Sequence, residues 1–211
     1  MRDSDCIIET GISMNSGEFF ALLAFIILTG ALVFSGCMDS GVQGPGAIKS
    51  TTGMGVSTDW NLTIAGDRTI VYNLEEIRAM PAVTLNGFAV STVGIKYGPY
   101  ICRGVPLRYL AGLAGTLNPQ DQVWVSAPDG YLWVFDRDQI DGKGFVTFNE
   151  SLQEIPSPPL TILLMYEQDG HPLSNEEGGP ARIAICSAEK GVVTEGSAWV
   201  KWVHRIELHR K

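Results

Sequence analysis

Residues 178–208, GGPARIAICSAEKGVVTEGSAWVKWVHRIEL, constrain this chain more than any other stretch. A Gly-Gly-Pro turn opens the segment and Arg182 begins an apolar strand. A loop follows, and Trp199 to Leu208 reads as a closing strand. Arg182 supplies a planar fork of donors, and Lys201 supplies a movable point charge. The glycines let backbone N–H groups come close to an anion. An ordinary strand pair with surface charges has the same spacing, so the pattern alone leaves both readings open.

The rest of the chain narrows them. The 211 residues suffice for one domain and a leader, and 45% apolar with 18% charged residues suits a globular protein. Arg2 set against Asp3, Asp5, Glu9 and Glu18 makes residues 1–36 net −3, which leaves −5 of the total −8 for the remainder. With that balance and no Lys/Arg-rich run, no nucleic-acid partner is expected. A basic pocket for a single anion remains compatible with it.

Phe19–Phe34 is an apolar run broken only by Thr29 and Gly30. It is short against the roughly 20 residues of a spanning helix but suits a signal-peptide core. Phe34-Ser35-Gly36-Cys37 follows and resembles a lipobox, which makes Cys37 a lipid-attachment candidate. No cluster of basic residues precedes the run, which leaves an uncleaved membrane anchor as the alternative. Either way, the expected location is the extracytoplasmic face of the membrane. The organisation read here is a leader or anchor at 1–36, a Gly/Ser/Thr-rich tether at 37–57 and a domain at 58–211.

Within the domain, alternation predicts strands at 60–64, 69–73, 82–90, 122–127 and 131–135, and an apolar run predicts a buried strand at 160–166. A short helix is expected at 74–78, capped by Asn73 and stopped at Met80-Pro81. A second is expected at 103–115, with apolar residues at 107, 110, 111 and 114, and a helical turn at 136–141. Residues 91–102 read as a loop, a bulge is expected at Gly87, and 167–170 read as a hairpin-type turn. The class is α+β. Cys102 and Cys186 lie in the domain, either as a pair or as two buried thiols. His171, His204 and His209 lack metal-ligand spacing. Tyr97, Tyr100, Tyr131, Trp124 and Trp133 are candidates for a pocket wall or for core.

Six segments taken in order, LEEIRAMP, AVTLNG, RGVPLRYLAGLAG, VWVSAPDGY, LLMYEQDGHPLSNEEGGPAR and WVKWVHRIEL, resemble the oxidoreductase molybdopterin-binding domain, the sulfite oxidase-type fold, over residues 58–208. The resemblance implies a mixed curved sheet with a barrel-like portion and short flanking helices. It implies a pyranopterin cofactor, molybdopterin with Mo or W. Arg182 and Lys201 match the phosphate contacts, Trp199 and Val200 the backbone lining, and Ser126 a hydroxyl contact. Glu177 stands where bacterial relatives carry asparagine, and a carboxylate there would repel a phosphate unless a cation intervenes.

Asn86 stands where catalytic members carry the metal-ligand cysteine, and an amide is a poor substitute for a thiolate. Cys102 is the nearby thiol. It becomes a metal-ligand candidate if the 91–100 loop folds it inward, and otherwise it has a structural or disulfide role. No counterpart of the arginine-rich substrate pocket stands out. The resemblance thus implies either a membrane-anchored molybdopterin-dependent oxidoreductase that passes electrons to an external carrier, or a cofactor-free binding or interaction module on the same fold.

Overall fold

The computed structural model describes residues 59–211. The apolar leader, Cys37 and the tether lie outside the described residues. Among the described residues no helix is long and apolar enough to cross a membrane.

The first sheet brings the two ends of the domain together. Strand β1 (Asn61–Ala65) pairs antiparallel with β2 (Thr69–Asn73) and parallel with β13 (Arg205–His209). Strand β13 pairs with β5 (Gln122–Ser126), and β5 pairs with β6 (Leu132–Phe135). The order is β2-β1-β13-β5-β6. Helix α1 (Leu74–Arg78) starts where expected. Asn73 accepts from the Glu76 N–H, and Glu76 reaches back to the Asn73 N–H.

The second sheet holds the barrel. Strand β3 (Val83–Val90) pairs with β4 (Lys96–Pro106), and β4 pairs with β9 (Leu160–Gln168). Strand β9 pairs with β11 (Arg182–Ser187), and β11 returns to β3. These four strands close a small barrel, which leaves none of the four with two free edges. The sheet extends through β12 (Val193–Glu195), parallel to β3, to β7 (Thr147–Phe148) and β8 (Glu154–Ile155). Strand β10 (His171–Pro172) pairs with β9 across an Asp169-Gly170 turn in which both residues have positive φ, 51° and 86°.

Helix α2 (Leu107–Ala114) lies against β1, β4, β9 and β13, and buries Leu107, Leu110, Ala111 and Ala114. That is the apolar stripe read from the sequence. Helix α3 (Arg137–Ile140) is a single turn capped by Asp136. With three short α-helices and one 3-10 turn (Gly196–Ala198) among the described residues, sheet dominates, and the α+β label fits only loosely.

Three expectations change. Residues 91–102 are not all loop, because β4 begins at Lys96. Gly98-Pro99 is tolerated inside the strand because both sit opposite a register shift between Gly87 and Ala89, where no ladder N–H is required of Pro99. Helix α2 starts at Leu107 rather than at residue 103, because Arg103–Pro106 continues β4 along β9. Gly104 permits this, since a Cβ there would collide with the Leu164 backbone. The closing strand is also shorter than expected. Residues 199–204 form an irregular ribbon with Trp202 at φ 51°, and only Arg205–His209 is ladder. The ribbon is still held, with the Ile183 N–H donating to Val200 O, Val203 N–H to Ala181 O and Trp202 N–H to Gly178 O.

Candidate functional site

Trp199, Lys201 and Trp202 of that ribbon line a cleft of about 630 Å³. This is within the usual range for small-molecule sites. Arg182, at the start of β11, forms one wall. Lys201 and Trp202 come from the ribbon, Glu177 from the turn before β11, and Tyr97 and Tyr100 from β4.

Arg182 is the unusual group. Its guanidinium donates to Glu177 O at 2.8 Å and to Trp199 O at 3.5 Å, and lies 5.4 Å from the Trp199 ring centroid. Its Nε is buried and has no partner. No ion pair neutralises Arg182 or Lys201 among the described residues. Lys201 donates to Glu176 O at 2.7 Å and lies 5.6 Å from the Trp202 ring. Burial pushes the pKa of both cations down, and for Lys201 the neighbouring Arg182 charge adds to the effect. Two adjacent cations without an ion pair give a local positive potential in a cleft that Asp129, Glu176 and Glu177 also line.

Glu177 does not quench that potential by pairing. Its carboxylate accepts from the Ser174 N–H at 2.7 Å and from Gln168 Nε2 at 3.2 Å. The Ser174 backbone bond, above all, holds its pKa below the ordinary value. The carboxylate therefore caps the turn that carries Arg182. Burial raises the Tyr100 pKa against the lowering effect of Arg182, so its phenol stays protonated and able to donate. Tyr131 donates to Ser197 O at 2.7 Å.

The cleft therefore gathers Arg182, Lys201, Glu177 and Trp199 from the residues singled out in the sequence, together with Tyr97, Tyr100 and Tyr131. It does not gather the others. Ser126 lies on β5 in the first sheet, where its carbonyl accepts from the His204 N–H. Val200 is buried and does not line the cleft. Asn86 turns its amide to Ala188 O at 3.0 Å and to Ser187 O. Cys102 is fully buried behind the lining. Trp124 stacks on His209 at 3.9 Å in the first sheet. Sequence reasoning missed Gln168 and Trp202. A lone glutamine ending the apolar run of β9 was the available signal for the first. For the second there was none, because its position depends on the backbone turn at residue 202.

The sequence matches the oxidoreductase molybdopterin binding domain over residues 49–211, and the chain belongs to that family. Its structure resembles that of the sulfane dehydrogenase SoxCD from Paracoccus pantotrophus, with a TM-score of 0.54 at 20% identity. The likeness covers 73% of this chain and 39% of that one, so the chain spans about two fifths of the protein it matches. At that identity the likeness shows the fold. No curated protein matches the sequence.

The residues present suit one part of the family's cofactor. The orphaned Arg182 Nε and the unneutralised Lys201 suit a phosphate, and the indole and phenol rings suit a flat heterocycle. The metal end is less well served. No thiol lines the cleft among the described residues, and Cys102 is fully buried.

Proposed function

We propose that this domain binds a pyranopterin in the Arg182 cleft, with the phosphate on Arg182 and Lys201 and the ring system among Tyr97, Tyr100, Trp199 and Trp202. The buried, unpartnered Nε of Arg182 carries this reading. The chain's own groups act by binding and orienting. Arg182 and Lys201 neutralise the phosphate, Glu177 holds the turn beneath Arg182, and Tyr100 offers a neutral donor. Ser126, Val200 and Asn86 take outlying roles in this reading, as supports of the ribbon and of β3.

Molybdopterin would supply redox chemistry at its Mo or W centre when bound. The concealment of Cys102 favours a site that grips the pterin without a protein thiolate on the metal. It also keeps the second reading in view, a binding module that retains the anion site and has lost the chemistry. Export, with the membrane held through Cys37 or through an uncleaved leader, and electron delivery to an external carrier, complete the proposal.

Anion binding can be followed through Trp199 and Trp202 fluorescence on titration with inorganic pyrophosphate. Arg182→Ala should weaken binding about 10–100-fold, the loss of one or two charge-assisted hydrogen bonds. An unchanged affinity in a folded variant would remove the assignment.

A further inference from the structure

Cys102 and Cys186 lie 84 residues apart in sequence, on strands that flank β3 from opposite sides. Cys102 on β4 is opposite Leu85, and Cys186 on β11 is opposite Gly87. Both thiols point inward, and both residues are 0% exposed. Gly87 is where they converge. A Cβ built there would lie 2.5 Å from Cys102 Sγ, 3.4 Å from Cys186 Sγ and 2.9 Å from the Trp199 ring edge. The space that any other residue would fill on β3 is therefore occupied by two sulfurs and an indole. The Cys102 thiol beside it, together with burial, pushes the Cys186 pKa well up.

A metal role for the pair lacks further ligands. Among the described residues no group of three or more His, Cys, Asp or Glu side chains could hold an ion. The remaining chemistry of two adjacent thiols is oxidation to a disulfide.

We propose that Cys102 and Cys186 are a dithiol site that closes to a disulfide across the barrel, tying β4, which carries Tyr100, to β11, which carries Arg182. The oxidant is an external disulfide. One protein thiolate attacks it, forms a mixed disulfide and releases one thiol. The second protein cysteine then attacks the mixed disulfide and releases the other thiol. Two electrons and two protons pass from the cysteine pair to the external disulfide, which ends as two thiols. Because both residues are fully buried, the exchange takes place while the chain is folding, before the barrel closes over them. The bond would remove Cys102 from metal ligation, and the proposal does not depend on what the cleft holds.

The test uses the full-length chain, reduced and unfolded in denaturant and then refolded in mixed oxidised and reduced glutathione. Acid quenching, alkylation and trypsin digestion follow. Cleavage after Lys96, Arg103, Arg182 and Lys190 places the cysteines in YGPYICR and IAICSAEK. The expected result is one linked peptide joining these two, with a Tm about 5–15 °C above that of the same sample kept reduced. Recovery of the two peptides separately, alkylated or carrying glutathione, would overturn the proposal, as would preferential linkage to Cys6 or Cys37. A linked peptide without a gain in Tm would overturn the bridge across the native barrel. The peptide readout needs only the wild-type chain. Cys102→Ser and Cys186→Ser should each abolish the oxidant-dependent rise in Tm.

Discussion

Gly178 lies under the stem of Lys201. A Cβ at residue 178 would come within 2.6 Å of Lys201 Cγ and 2.7 Å of its Cβ. Gly178 also has φ 94°, a conformation L side chains rarely adopt. One residue thus sets the path of the turn and the placement of a cation in the cleft. Gly178→Ala should cost about 1–3 kcal/mol, from backbone strain and the displaced lysine stem. Thermal melting checks the stability. Pyrophosphate titration should show weaker binding at temperatures where the variant is folded.

Lys201 gives the site a pH signature. Its pKa is held below the ordinary 10.5 by burial and by Arg182. As pH rises, Lys201 therefore loses its proton before an exposed lysine would, and anion affinity should fall through the alkaline range. Lys201→Arg, which keeps its charge there, should flatten that fall. A parallel decline in both proteins would show that the decline does not come from Lys201.

Glu177 gives a stability signature of opposite sense. Its folded pKa lies below the ordinary 4.5 because the carboxylate accepts the Ser174 N–H. A depressed folded pKa contributes stability that is complete above the unfolded pKa and is lost as pH falls through the folded one. Tm should therefore drop as pH falls below about 4.5. Glu177→Gln should be less stable than the parent at neutral pH and show a shallower acid drop.

The barrel interior should respond as a coupled unit. Gly87→Ala places a methyl group against Cys102 Sγ and Trp199, an overpacking expected to cost about 1–3 kcal/mol. Adding Cys102→Ala removes one of the clashing atoms. The double variant should be more stable than the sum of the two single costs implies. Chemical denaturation of the four proteins measures the coupling.

These relationships differ in how far they could be read from the residues. Asn73 and Glu76 announce α1 by capping chemistry that acts within four residues, and α2 shows its buried face through periodicity. Arg182 and Lys201 stood out because a glycine turn followed by an arginine is a local signal, and the structure brings both to one cleft. The start of β4 was not legible, since Gly98-Pro99 is tolerated only because β3 shifts register opposite it. Burial of Cys102 was one of its two readings, but the meeting of Cys102 and Cys186 at Gly87 was not legible, because it depends on three separate segments. Local chemistry shows in sequence, whereas closure of a barrel by distant strands does not.

The central claim is that Arg182 anchors a pyranopterin. Its most direct test is the pterin content per chain of the full-length protein, isolated from a host that makes the cofactor and measured by fluorescence after oxidative release. The account predicts close to one pterin per folded chain, and background levels in an Arg182→Ala variant that melts like the parent. Folded wild-type protein that carries no pterin, or an Arg182→Ala variant that carries as much as the parent, would contradict it.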